Sequence, residues 1–110
     1  MARLAALPPL KPADFHILLS LLNGPRHGYE IMKHVERESA GTVCLEVGTL
    51  YRILARLLDD GLLQEAETDG RRRNYSLTRL GRQVFKAEAA RLAVVVDRLR
   101  ARKLLPHAEA

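Results

Sequence analysis

Apolar residues recur at intervals of three and four along most of this chain, a spacing that places side chains on one face of an α-helix. The pattern predicts four helices: the first opened by Pro12, the second over residues 28–39, the third over residues 48–61, and the fourth from Thr78 to about residue 104. Glycines and prolines between the first three predict tight turns. The chain is therefore expected to form a helical unit followed by one long helix.

The helix predicted over residues 48–61 has two unlike faces. Its apolar stripe, expected to face the core, is formed by Val47, Leu50, Leu54, Leu57 and Leu58. Another face carries Thr49, Arg52 and Arg56. A hydroxyl and two guanidinium groups can contact phosphates and base edges in a DNA groove. Arginine is also common on solvated helix faces, so this face alone does not decide between the two interpretations.

The segment between the third and fourth helices predicts a β-hairpin. Residues 62–67 and 73–77 flank Asp69 and Gly70, and glycine accepts the positive φ that a tight hairpin turn requires. The tip carries three consecutive arginines, Arg71, Arg72 and Arg73. Charge runs are typical of solvated ribbons, and arginine forks also suit contacts with phosphates.

Composition indicates one domain with a basic surface. At 110 residues and 47% hydrophobic content the chain can fold around one modest core. A net charge of +5 and a pI near 9.9 favour a polyanionic partner, nucleic acid before membrane. No apolar run approaches the ~18 residues that span a bilayer, and residues 1–9 do not resemble a secretory signal. A cytoplasmic location is therefore expected.

Residues suited to catalysis or metal binding are sparse. Cys44 is the only cysteine, lies in a very short strand predicted over residues 42–45, and is expected to be a buried thiol. His27 and His34 stand two helical turns apart, which is not the spacing of a chelating pair. No nucleophile adjoins a base, and no glycine-rich phosphate loop is present. The sequence therefore predicts neither an enzyme nor a cofactor nor a metal site.

The final helix carries an apolar seam of the coiled-coil type, formed by Phe85, Ala89, Leu92, Val96 and Leu99. Such a seam is longer than a small domain needs for its own core, so it predicts a homodimer. The predicted fold class is mainly α with a small β-hairpin, a winged helix-turn-helix with a long C-terminal dimerisation helix. Its parts are an arm over residues 1–11, the winged domain over residues 12–77, and the dimerisation helix and tail over residues 78–110.

The chain resembles the PadR family of bacterial transcriptional regulators. The resemblance covers about residues 14–84 and rests on four blocks in order: residues 23–31 (NGPRHGYEI), 48–52 (GTLYR), 60–62 (DGL) and 71–81 (RRRNYSLTRLG). The single final helix resembles the short branch of that family. The resemblance implies a homodimeric repressor whose third helix enters the major groove and whose wing grips the flanking backbone.

Two features depart from the family's pattern. Glu46 and Val47 stand where the family often has Ser-Pro, which removes a capping hydroxyl and places a carboxylate near the groove. The chain has no tryptophan, so the ligand sandwich between paired tryptophans that some members use cannot form.

The candidate DNA contacts are His27, Gly28, Tyr29, Gly48, Thr49, Tyr51, Arg52, Arg56, Arg71, Arg72 and Arg73. Tyr29 and Tyr51 are equally interpretable as half-buried core residues with a wet hydroxyl, and Gly28 as a turn residue. The expected partners are operator DNA, a second copy of the chain and a small apolar or aromatic effector, with no membrane. The alternative function is a winged-helix protein-interaction module that uses the final helix and does not bind DNA.

Overall fold

Residues 8–70 and 72–106 of a computed structural model form four helices and one three-stranded antiparallel sheet. In chain order the elements are α1 (Pro12–Ser20), β1 (Arg26–His27), α2 (Gly28–Glu38), α3 (Val47–Asp59), β2 (Leu63–Asp69), β3 (Arg72–Leu77) and α4 (Arg79–Ala101). The architecture is a winged helix, mainly α with a small sheet, as the sequence predicts. Residues 1–7, which make up most of the predicted arm, Arg71 of the wing tip, and residues 107–110 lie outside the described residues.

The predicted boundaries of α3 and of the hairpin are explained by local hydrogen bonds. Gly61 has a φ of 77°, and the amide of Leu62 donates to the carbonyl of Leu57 at 3.0 Å, which ends α3 as glycine after a helix commonly does. Gly70 has a φ of 66° between β2 and β3. Asp69 and Arg72 pair across this turn. The predicted hairpin is therefore confirmed.

The start of α4 is fixed against the end of α3. The Thr78 hydroxyl accepts a hydrogen bond from the amide of Gly81 at 2.9 Å and donates to the carbonyl of Gly61. A Cβ at Gly81 would overlap the carbonyl oxygen of Leu62. The first turn of α4 therefore lies directly against the backbone that leaves α3.

The end of α4 and one strand differ from the prediction. The helix ends at Ala101, because Lys103 adopts a φ of 59° and the amide of Leu104 donates back to the carbonyl of Leu99 at 2.9 Å. Residues 42–45 form no strand, since the amide of Val43 bonds to the Ser39 hydroxyl at 3.0 Å. The additional strand is β1, which pairs with β3 and is too short for a periodic pattern.

The core contains one residue that the sequence assigned to the dimer seam. Its buried members are Ile17, Leu18, Leu21, Ile31, Val35, Leu50, Leu54, Leu57, Leu63, Tyr75 and Phe85. Phe85 is 7% exposed, and its ring stacks on that of Phe15 with the centroids 4.9 Å apart. The chain itself covers Phe85, which corrects its assignment to a surface awaiting a partner. The first half of α4 is thus part of the core.

Two further predictions about burial are wrong. Val47 is 58% exposed rather than part of the apolar stripe, because the first turn of α3 extends past the edge of the core. Cys44 is exposed rather than buried, and its Sγ donates to a carboxylate oxygen of Glu36 at 3.0 Å. That hydrogen bond raises the pKa of the Cys44 thiol.

Within residues 8–70 and 72–106, no helix is both long and apolar enough to cross a membrane.

Candidate nucleic-acid interface

The outward side of α3 is an exposed ridge whose one large side chain is that of Arg52. Leu50, Leu54 and Leu57 are each 1% exposed and anchor the opposite side in the core. Helical periodicity places Gly48, Arg52 and Ala55 along the centre of the outward side, and all are exposed. Because two of these side chains are small, another molecule can approach the helix backbone closely along this ridge.

Tyr51 and Arg56 flank this ridge on opposite sides. Tyr51 is 46% exposed and faces the wing, whereas Arg56 faces α1. Thr49 is only partly exposed. Arg52 and Arg56, which the sequence places on one face with Thr49, line the same cleft on the α1 side of the helix.

The N-terminus of α3 has no side-chain cap. Glu46 occupies the N-cap position but makes no capping hydrogen bond, and the first turn of the helix contains no acidic residue. The amides at the start of a helix have no acceptor within the helix. The first turn of α3 therefore presents exposed amide donors together with the carboxylate of Glu46 and the apolar side chain of Val47.

A pocket of about 450 Å³ lies between the start of α2, the wing side of α3 and the wing. Its lining residues are His27, Gly28, Tyr29, Tyr51, Arg72, Arg73 and Tyr75. Six of these are DNA-contact candidates from the sequence, and the fold brings them together from three separate segments. Tyr75 is the lining residue that the sequence analysis does not name, because it shares a strand face with Leu77, two residues later, and that spacing indicates packing against the core.

His27 caps α2 and lies in close contact with Arg72 of the wing. The His27 Nδ1 accepts from the amide of Glu30 at 3.4 Å, while the His27 amide donates to Glu30 Oε1 at 3.3 Å. His27 Nε2 lies 3.0 Å from Nη1 of Arg72. A Cβ at Gly28 would overlap the Tyr51 hydroxyl, so the missing side chain at residue 28 makes room for that hydroxyl.

Tyr75 is the buried aromatic residue of the pocket lining. It is 3% exposed, and burial raises the pKa of its hydroxyl, with a further increase from Tyr51 and an opposing effect of Arg73. The Tyr75 hydroxyl is therefore held neutral at physiological pH and can act as a hydrogen-bond donor.

A second, smaller cleft of about 320 Å³ lies on the α1 side of α3. Its lining residues are Lys11, Ala13, Asp14, Arg52, Ile53 and Arg56. Arg56 forms an ion pair with Asp14, whose side chain is 8% exposed, at 2.9 Å. The Asp14 hydrogen bond raises the pKa of Arg56. Arg56 thus has a partner within the chain, and its DNA contact stays a prediction.

The second half of α4 carries exposed apolar side chains. Leu92, Val96 and Leu99 are half-buried, and Ala89 packs against the core. Val94 and Val95 are 50% and 42% exposed and were missed by the sequence interpretation. The sequence could have predicted the place of Val95, which stands three residues after Leu92 and four before Leu99 and therefore lies on the same side of the helix.

Residues 17–87 match the model of the transcriptional regulator PadR-like family. The chain is 37% identical over 87 residues to an uncharacterized 37.1 kDa protein in transposon TN4556 of Streptomyces fradiae, covering 79% of this chain and 25% of that protein. It is 26% identical over 87 residues to the transcriptional regulator YqjI of Escherichia coli strain K12, covering 78% of this chain and 42% of that protein. It thus spans less than half the length of either relative.

Similarity to a solved structure extends over most of both chains. A transcriptional regulator from Clostridium thermocellum superposes with a TM-score of 0.67 at 26% identity, covering 81% of this chain and 87% of that chain.

Proposed function

Because the chain belongs to the PadR-like family of transcriptional regulators, which are not enzymes, we propose that it is a cytoplasmic, homodimeric repressor that binds a specific DNA operator. The observation that carries the proposal is the α3 ridge, whose exposed Arg52 lines the cleft that contains Lys11, while a pocket with two arginines lies on the other side of the helix. Basic groups on both sides of a protruding helix match a helix in the major groove with phosphates along its two edges.

Base recognition is assigned to the α3 ridge and backbone gripping to the wing. Arg52 is exposed, and among the described residues no carboxylate forms a salt bridge with it, so its guanidinium is free to fork onto a guanine. Arg72 and Arg73 are exposed on the projecting wing and suit phosphate contacts.

The homodimer is supported by the free part of α4. On one side of the second half of α4, Val95 is exposed and Leu92, Val96 and Leu99 are half-buried, whereas the first half of the helix already lies in the core. Two α3 helices related by a dimer axis would meet one face of the duplex about one turn, ~10 bp, apart, so the operator should be an inverted repeat.

Induction is proposed to act through the same helix. A small apolar or aromatic effector bound between α4 and the core would change the distance between the two α3 helices and weaken operator binding. Linkage requires DNA to weaken effector binding by the same factor.

The experiment compares two variants with a charge-matched control. Arg52→Ala should cost ~1–3 kcal/mol and relax preference at one base position, whereas Arg72→Ala should weaken all duplexes alike and reduce the salt slope of log K by ~1.8 per dimer. Arg98→Ala removes the same charge from an exposed position on α4 and controls for net charge. Titrations use the DNA upstream of the gene and a scrambled duplex at several salt concentrations.

Two outcomes would overturn the assignment. If the Arg72 variant loses specificity while the Arg52 variant loses only salt dependence, the wing reads the sequence. If no duplex binds at low salt while α4 captures a different protein, the chain is a protein-interaction module.

A further inference from the structure

We propose that the pocket between α2, Tyr51 and the wing is a binding site for one phosphate group, filled by a phosphodiester in the DNA complex and by a free phosphate-class anion in its absence. The first half rests on the proposed DNA binding, whereas the second half does not require DNA. The shared chemistry is a tetrahedral oxyanion surrounded by hydrogen-bond donors.

The shape of the site distinguishes it from an ordinary contact on a basic surface. The pocket has a volume of about 450 Å³, and its lining includes Tyr75, which is 3% exposed. Tyr29 and Tyr51, which are 55% and 46% exposed, contribute aromatic side chains to the lining. A phosphate with part of its attached group therefore enters a recess, where partial exclusion of water strengthens its hydrogen bonds.

Arg72 and His27 lie side by side, and both present hydrogen-bond donors at their point of contact. Because His27 Nδ1 accepts from the amide of Glu30, a neutral ring carries its proton on Nε2. That Nε2 lies 3.3 Å from Glu30 Oε1 and 3.0 Å from Nη1 of Arg72. The ring can donate to the carboxylate, but it cannot also accept from the guanidinium. A phosphate oxygen beside the two nitrogens supplies the acceptor that Arg72 lacks in the ring.

The start of α2 supplies further donors. The amides of Gly28 and Tyr29 belong to the first turn of an eleven-residue helix, where no acceptor exists within the helix. The positive end of the helix dipole favours an anion at this place. The Tyr51 hydroxyl occupies the place that a side chain at residue 28 would take.

The charge balance of the pocket also favours an anion. Among the residues whose side chains the structure describes, the lining contains two arginines and no carboxylate. The neighbouring carboxylates are Glu30, which is engaged by His27, and Glu65, which lies 3.5 Å from Arg73. Because the Arg73 and Glu65 side chains are 69% and 51% exposed, water weakens that pair and leaves Arg73 available to an anion.

The first measurement titrates the DNA-free protein with pyrophosphate and follows amide chemical shifts, with sodium chloride adjusted to keep the ionic strength constant. The largest saturable changes in amide chemical shift should occur at Gly28, Tyr29, Arg72 and Arg73. Arg72→Gln should weaken the apparent affinity about tenfold, whereas Arg98→Gln should change it less than about twofold. Gly28→Ala, which displaces the Tyr51 hydroxyl, should also weaken it, and circular dichroism checks that this variant folds.

The second measurement asks whether DNA uses the same pocket. At matched ionic strength, pyrophosphate should release a bound duplex more effectively than chloride, and Arg72→Gln should abolish this excess.

The outcomes separate the two halves. If amide shifts are absent, or if Arg98→Gln weakens pyrophosphate binding as much as Arg72→Gln, the pocket is not a phosphate site. If pyrophosphate binds the free protein but releases the duplex no better than chloride does, the phosphodiester does not occupy the pocket. If pyrophosphate binds but no duplex does at low salt, the pocket stands and the proposed function fails.

Discussion

Arg56 Nη2 donates to both carboxylate oxygens of Asp14, 42 residues earlier in the chain, at 2.9 and 3.1 Å. Asp14 is 5% exposed in the first turn of α1, where a carboxylate also suits the helix dipole. This ion pair links α3 to α1. The sequence predicts Arg56 as a DNA contact, whereas its geometry in the free chain is that of a tie between two helices.

Replacing Arg56 should therefore reduce stability before it alters DNA recognition. Arg56→Gln leaves the buried Asp14 carboxylate without its charged partner and should cost about 1–3 kcal/mol of unfolding free energy. Asp14→Asn should cost less, because half-exposed Arg56 can be hydrated. Urea denaturation of both single variants and the double variant gives the coupling energy. Unchanged stability with weakened operator binding would instead identify Arg56 as a DNA contact.

Gly81 is expected to be the least replaceable glycine of the winged domain. Gly81→Ala places a methyl group against the carbonyl oxygen of Leu62, which belongs to the backbone and cannot rotate away. The expected loss is about 3 kcal/mol, at the upper end of typical overpacking costs. Thermal unfolding measures it. A loss below about 0.5 kcal/mol would show that α4 shifts freely against α3.

Gly48 should behave in the opposite way. A Cβ there meets no atom within 4 Å, and alanine is the better helix former, so Gly48→Ala should raise stability by about 0.5 kcal/mol. The added methyl lies on the α3 ridge, and operator affinity should fall by an amount on the order of 1 kcal/mol. Denaturation tests the predicted rise in stability, and duplex titration of the same preparation tests the predicted fall in operator affinity. Unchanged affinity would place Gly48 outside the DNA interface.

The α4 surface predicts the association state. Leu92→Glu combined with Val96→Glu should yield monomers, since burying each such side chain contributes ~1.5–3 kcal/mol. Val94→Glu is the matched control, because it lies on the opposite side of the helix. Sedimentation at micromolar concentration measures the mass. A monomeric unmodified chain excludes the dimer, and dissociation by Val94→Glu alone assigns the interface to the other side.

Glu46 and Val47 are expected to determine base preference at the leading end of α3. The exposed Val47 side chain can contact a thymine methyl group. The Glu46 carboxylate, which makes no capping hydrogen bond, can accept a hydrogen bond from a cytosine amino group. Val47→Ala should lose ~1 kcal/mol of preference for thymine at one operator position. Deoxyuridine in place of that thymine should have the same effect on the unmodified protein and none on the variant. Glu46→Gln should relax preference at a different position.

Periodicity was sufficient to predict the helices and the hairpin because each depends on local spacing and turn residues. It was insufficient for Phe85 and Leu92, which share one repeat although the chain covers only Phe85. Whether the chain covers a position on α4 depends on how far the helix extends beyond the core. That distance cannot be predicted from the local spacing of apolar residues. The Asp14–Arg56 pair was invisible for the same reason, since 42 residues separate its partners.

The sequence named most of the pocket's residues singly and did not predict that they converge. Their convergence depends on β1, in which Arg26 pairs with Tyr75 and His27 with Asn74. A strand of two residues has no alternation to detect. The pocket therefore became visible only with the sheet register.

Helix α4 runs without a break from the core to the free apolar surface. The direction in which that surface faces therefore depends on the number of helical residues between the two parts. One residue inserted between Ala89 and Leu92 would rotate the outer half by about 100° and move it about 1.5 Å. The apolar surface would then face another direction, whereas seven inserted residues would nearly restore it about two turns farther out. In the proposed dimer, the length of one helix measured in whole turns would thus set the spacing of the two operator halves.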